Sequence, residues 1–221
     1  MSRQMSLKEI ERKAFRSYYA DGLWDLFLGA LLLAMAVSAG LSELDIVPAL
    51  HFGIYIALLA VILVAFIAGK KYVTTPRIGH VKLGERGKAR KRNTRIVLAA
   101  SVLLGVIVLV LSITALTSNW SEGLPLDLIF PGVYVLNMVL VFGLMAHFLA
   151  YDRLYLIGVL YALPVPADML LRRLAGIHVA YLTFAASGIV VVAMGLVTFV
   201  RFLRENPLPM EMELDSGGNH A

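Results

Sequence analysis

"KKYVTTPRIGHVKLGERGKARKRNTR", residues 70–95, is the segment on which the reading of this chain turns. It holds ten of the twenty Lys and Arg residues against one acid, Glu85. Apolar runs flank it on both sides, Ile46 to Gly69 before it and Ile96 to Leu116 after it. A helix rising about 1.5 Å per residue needs roughly 20 apolar residues to cross about 30 Å of hydrocarbon, and both runs meet that length. Lys and Arg in short loops are retained on the cytoplasmic side of a membrane. Residues 70–95 are therefore expected to be a cytoplasmic loop between two transmembrane helices.

The same test applied outward finds further spans at Leu23 to Leu41, Pro131 to Ala150 and Ile177 to Leu203. The connection after the first span carries only Glu43 and Asp45, and the one after the third only Glu122 and Asp127. Arg3, Lys8, Arg12, Lys13 and Arg16 precede the first span. This asymmetry places the N-terminus with the basic loop in the cytoplasm of a cell whose plasma membrane the chain crosses.

Leu154 to Leu171 is apolar but interrupted by Pro164, Pro166 and Asp168. A charge at mid-bilayer costs about 2.5–3.5 kcal/mol on insertion scales, so Asp168 is expected near the outer interface. The fold class is read as an all-α membrane protein, a bundle of six transmembrane helices with both termini inside. The alternative is five spans plus a re-entrant segment, which exchanges the sides of the Arg172–Arg173 and Arg201–Arg204 pairs with no change in the charge count.

Composition agrees. Charged residues make up 16% of the 221, against roughly 25% for soluble domains, and mean hydropathy is +0.79. Cysteine is absent, which excludes disulfides, thiol catalysis and Cys-ligated metals. A signal peptide cleaved after Ala39 is disfavoured by Glu9 and Glu11 and by the apolar run that follows so closely.

Three regions result. Residues 1–18 contain Ser6 three positions before Glu9, a capping-box spacing, then Leu7, Ile10, Ala14 and Tyr18 on one stripe, which predicts an amphipathic helix along the cytoplasmic interface. Residues 19–203 form the transmembrane domain with its basic loop, in which Arg77 to Leu83 is expected to be a short extended stretch. Residues 204–221 read as a disordered acidic tail. Small residues at Ala30, Ala34 and Ser38, at Gly53, Ala57, Ala65 and Gly69, and at Gly188 and Gly195 are expected to let helix backbones approach closely.

Chemistry-bearing residues are few. Asp21 and Asp25 stand four apart, hence on one face of the helix opening the first span, with Gly22 and Gly29 beside them. They are candidates for a ligand or for ion pairs with Arg77, Arg95 or Arg153. Asp152 and Arg153 end the fourth span near His147. Asn137 and Asp168 are the polar candidates for a path through the bundle, although interhelical hydrogen bonding is the plainer role for Asn137. Lys70, Lys71, Lys88, Arg90, Lys91 and Arg92 are read as contacts to anionic lipid headgroups, worth about 1 kcal/mol for each basic residue near the surface. His51, His80 and His178 lack companions at metal-ligand spacing, and no metal or cofactor is expected. Nucleic acid is not expected either, since only Tyr72 offers a stacking face in the basic loop.

"DGLWDLFLG", residues 21–29, with "PRIGHVKL", residues 76–83, resembles a group of prokaryotic multi-pass membrane proteins that carries no assigned activity. The resemblance covers about the first ninety residues and implies only that these two segments form one cytoplasmic unit. The Asp-Gly start also invites comparison with membrane CDP-alcohol phosphotransferases. Their pattern places Ala-Arg shortly after Asp-Gly and further acids beyond, whereas Leu23, Trp24 and Asp25 follow here.

No Walker A loop, nucleophile elbow or HExxH helix occurs. The expected function is that of a non-enzymatic membrane protein whose cytoplasmic basic unit contacts anionic lipid or a protein partner. A small oligomeric transporter or channel is the alternative, and an enzyme acting on a lipid headgroup at the inner interface comes last.

Overall fold

The computed structural model describes residues 21–44, 46–78, 85–117, 126–149 and 151–207. Every regular element among them is helical: α1 (Leu23–Ser42), α2 (Pro48–Gly69), a π-helical turn (Lys70–Thr74), α3 (Thr75–Ile78), α4 (Glu85–Thr117), α5 (Leu126–Leu149), α6 (Arg153–Ala162), α7 (Pro164–Ala175) and α8 (Ala180–Glu205). The expected amphipathic helix at residues 1–18 and the acidic tail from residue 208 on lie outside the described residues.

Among the described residues, five helical stretches are long and apolar enough to cross a membrane: Leu23–Ser42, Pro48–Arg77, Pro131–Leu149, Arg153–Ala175 and Ala180–Glu205. The expected third span falls within the 33-residue α4, where the described apolar stretch is Arg95–Ile107. The segment broken by prolines in sequence is continuous in structure. Leu163 is helical, its N–H donates to the Val159 carbonyl and its own carbonyl accepts from the Ala167 N–H, so Pro164 merely begins a new first turn where no N–H is needed.

The extended stretch expected over Arg77 to Leu83 is corrected at its start. Arg77 and Ile78 end α3, a helical continuation of α2 beyond the π turn, while residues 79–84 lie outside the described residues. The boundary expected at residue 204 also moves, because α8 continues through Arg204 to Glu205.

The chain divides into two units, Met1–Gly84 with Phe184–Ala221, and Glu85–Thr183. In the first, α1 packs along α2 through Trp24, Phe27 and Phe66, whose rings approach to centroid distances of 4.9 Å (Trp24–Phe66) and 4.6 Å (Phe27–Phe66). Nearer the other end of α1, Ser38 Oγ and His51 Nε2 share a hydrogen bond of 2.9 Å. α8 passes α1 in the opposite direction at glycine contacts. A Cβ on Gly29 would stand 2.8 Å from the Val192 backbone N, one on Gly195 2.8 Å from that of Leu26, and one on Gly188 3.1 Å from that of Leu33. Lipid supplies no hydrophobic drive between helices, so such approach is what lets dispersion and backbone contacts hold them. Leu32 and Val191 are wholly buried there, whereas α2 has no buried residue, and its Leu50, Phe52, Val61 and Val64 are exposed.

In the second unit α5 packs against α4 and α6. Ser101 Oγ donates to Asn137 Oδ1 at 3.0 Å. Tyr134 Oη donates to the Tyr161 carbonyl at 2.8 Å, and the Phe142 and Tyr161 rings lie 4.7 Å apart. Gly158 lies under Phe142, where an added Cβ would come within 2.5 Å of the Phe142 Cβ. α7 ends at Gly176 in the left-handed conformation, φ 66°, with its N–H donating to the Arg172 carbonyl at 3.0 Å.

Candidate functional site

The polar centre of the first unit forms at the start of α1. Gly22 adopts φ 80°, open to glycine without strain, and turns the chain so that Asp21 stands just before the helix. The expected pair on one helix face is corrected accordingly: Asp25 lies in the first turn of α1, but Asp21 precedes the helix. Both carboxyls are wholly buried.

Asp21 is satisfied on both oxygens. Oδ1 accepts from the Leu23 backbone N–H at 3.2 Å, which ties down one of the free amides at the helix start. Oδ2 accepts from Lys70 Nζ and from Thr74 Oγ1, each at 2.7 Å. Lys70 and Thr74 stand four apart at the two ends of the π turn, and Thr75 Oγ1 closes it onto the Lys70 carbonyl at 2.7 Å. Isolated π turns of this kind occur often at functional sites. Lys70 is 12% exposed, so its expected role as a headgroup contact is replaced by that of Asp21's counter-ion.

One turn further on, Arg77 Nη1 donates to the carbonyl oxygens of Leu203 at 3.1 Å and Asn206 at 2.8 Å. Those carbonyls lie in the last turn of α8 and just after it, where a cation opposes the negative end of the helix dipole. Three chain segments thus meet: the entry to α1, the exit from α2 and the end of α8.

The other expected site residues, Lys71 apart, lie in the second unit, and two of them centre on networks of their own. Asn137 takes the Ser101 hydroxyl. Asp168, 7% exposed, accepts from the Val179 N–H at 2.9 Å and His178 Nδ1 at 3.0 Å on Oδ1, and from Arg172 Nε at 3.0 Å on Oδ2. Arg95, Asp152 and Arg153 are exposed, with the Asp152 carbonyl accepting from the Tyr155 N–H in the first turn of α6. Lys71 and Arg92 are also exposed, while the side chains of Lys88, Arg90 and Lys91 lie outside the described residues. No group of three His, Asp or Glu residues able to hold a metal ion occurs among the described residues.

Sequence reasoning missed Lys70 and Thr74 as partners of Asp21, and His178 as a partner of Asp168. Lys70 looked no different from Lys71 beside it. The one signal available was its spacing of four from a hydroxyl at the end of an apolar run.

Comparison with protein-family models, with curated proteins and with solved structures yields no match to this chain. By length and composition, the helical fold with five candidate spans among the described residues is consistent with a multi-pass membrane protein.

Proposed function

We propose that this chain is a non-enzymatic protein of the plasma membrane, with six spans and a cytoplasmic N-terminus, whose basic segment docks on anionic lipid. The observation that carries the reading is the course of α4. It begins at Glu85, inside the basic run, and continues unbroken into the apolar residues after Arg95. At about 1.5 Å per residue, Lys88 to Arg95 occupy roughly 10 Å of helix directly before the apolar stretch. That spans the headgroup layer, about 5–8 Å deep on each side of the hydrocarbon, and each Lys or Arg there gains about 1 kcal/mol from an anionic leaflet. The exposure of Arg92 and Arg95 supports such contact.

Transport and headgroup chemistry rank behind this reading because the polar groups that would serve them are engaged internally. Asp21 is held by Lys70 and Thr74, Asn137 by Ser101, and Asp168 by Val179, His178 and Arg172. The segments that carry the family resemblance support a shared cytoplasmic unit, since Asp21 is bonded to Lys70 and Thr74 immediately before Pro76.

The test is native mass spectrometry of the full chain released from nanodiscs of mixed phosphatidylglycerol and phosphatidylcholine. The unaltered chain is expected to retain phosphatidylglycerol preferentially. The combined variant Lys88→Ala, Arg90→Ala, Lys91→Ala, Arg92→Ala is expected to lose that preference while keeping its fold by circular dichroism. Equal retention of both lipids by the unaltered chain would remove the proposal.

A further inference from the structure

Two faces run the length of the helix that α6 and α7 form together. Leu154, Ile157, Tyr161, Pro164 and Asp168 recur at three- and four-residue spacing and are buried, which makes them the packed face. Leu156, Val159, Leu163, Leu170 and Leu174 lie on the opposite face, each at least 50% exposed. On the six-span reading proposed above, lipid chains cover that second face.

The apolar stripe has defined ends. Arg153 precedes it and Arg172 interrupts its close, both within the continuous helical stretch Arg153–Ala175. At about 1.5 Å per residue the two arginines stand about 28 Å apart, close to the roughly 30 Å of hydrocarbon. Leu163 falls midway. From Leu170 to His178 every residue is exposed, Arg172 and Arg173 included, so the packed surface ends where these arginines begin. Arg172 is nevertheless held in place, because Asp168 Oδ2 accepts from its Nε at 3.0 Å and its Nη2 contacts the His178 ring. A guanidinium has five N–H donors, so one fixed through Nε and Nη2 still offers Nη1 to a further acceptor.

We infer that Arg172 and Arg173 bind the phosphate of a phospholipid in the leaflet opposite the basic segment, its acyl chains lying along Leu170 and Leu163. The planar fork of arginine matches phosphate oxygens in pairs. Asp168 already offsets one of the two positive charges, so a zwitterionic phospholipid suffices here. Three crossings, by α4, α5 and the α6–α7 helix, lead from the basic segment to Arg172, which places the two headgroup contacts in different leaflets. This inference rests on the six-span reading.

The test is magic-angle-spinning NMR of the full chain, made with carbon-13 arginine, in bilayers of phosphatidylcholine alone. The guanidinium carbons of Arg172 and Arg173 are expected to lose intensity when recoupled to lipid phosphorus, and the double variant Arg172→Lys, Arg173→Lys identifies their share of that loss. Equal loss in the unaltered chain and the variant would overturn the inference. Because the chain has no cysteine, Leu156→Cys, Leu163→Cys and Leu174→Cys each take a single nitroxide. Oxygen accessibility is expected to be highest at position 163 and to fall toward both others. A profile without that maximum removes the six-span reading and the inference together, whereas the maximum without a phosphorus effect removes the inference alone. Phosphatidylcholine carries no net charge, so neither result bears on the phosphatidylglycerol preference expected of residues 88–92. If the lysine variant fails to fold, the nitroxide at position 174 is expected to broaden the lipid phosphorus signal more than the one at position 163, and the reverse order overturns the inference.

Discussion

Lys70 and Asp21, 49 residues apart in the chain, meet at 2.7 Å with the carboxylate wholly buried. Removing two charges from water costs several kcal/mol each, and their attraction offsets this only when the remaining hydrogen bonds are made as well. Thr74 and the Leu23 amide make them here. The pair is therefore finely balanced as a whole, yet costly to break from one side.

Asp21→Asn is accordingly expected to destabilise the protein by about 3–5 kcal/mol, because it removes one charge of a buried, hydrogen-bonded pair. Lys70→Met alone strands the carboxylate and is expected to cost a similar amount. Combining the two is expected to cost much less than their sum. Unfolding in a mild detergent, followed through a double-mutant cycle, measures the coupling, and strictly additive losses would contradict the pairing.

Gly22 makes a sharper claim. A Cβ at this position would lie 2.6 Å from the Phe199 N and 2.7 Å from the Gly195 carbonyl oxygen, on a backbone with φ 80°. Gly22→Ala is expected to lower stability by at least the ~1–3 kcal/mol of a non-glycine residue in a sparsely populated conformation. Gly53→Ala is the control. Nothing stands within 4 Å of that position, and in mid-helix alanine is favoured over glycine by roughly 1 kcal/mol. Opposite shifts in melting temperature for the two variants are the expected result.

Arg77 holds the end of α8 by two carbonyls rather than by a carboxylate. Hydrogen bonds from a charged donor contribute about 1.5–3 kcal/mol, so Arg77→Ala is expected to free the last turn of α8. Amide exchange at Phe202 to Asn206 is the readout. Faster exchange confined to that turn supports the contact, and an unchanged pattern counts against it.

Periodicity and length alone made most of the helices legible. Apolar runs of about 20 residues cannot leave their backbone amides unpaired in hydrocarbon, so they have to be helical wherever they cross. Leu23–Ser42, Pro48–Gly69 and Ala180–Glu205 follow the expected spans closely. Arg77 and Ile78 departed from expectation because a local preference for extended backbone, read from Val, Thr and Ile, yielded to continuation of α2 and to the anchor that Arg77 finds at the end of α8.

The polar sites were half legible. Asp21, Asp25, Asn137 and Asp168 stand out in sequence because ionisable and amide groups in apolar surroundings have to be paired. Their partners were not readable, since Asp21 meets Lys70 and Thr74 from another helix and Asp168 meets His178 only after the chain has turned at Gly176.

What the amino-acid sequence determined by itself is therefore the material: helical runs of membrane length, Gly188 and Gly195 where backbones approach, and one concentrated band of positive charge, whereas Gly53, expected to allow the same approach, has nothing within 4 Å. What only tertiary structure decided is the use of single residues within it. Lys70 turns inward to Asp21, whereas Lys71 beside it faces outward. Both are lysines at the end of the same apolar run, and the difference arises because an ion pair depends on which charged groups helix packing brings within about 3 Å of one another, a distance that no spacing along a single chain specifies.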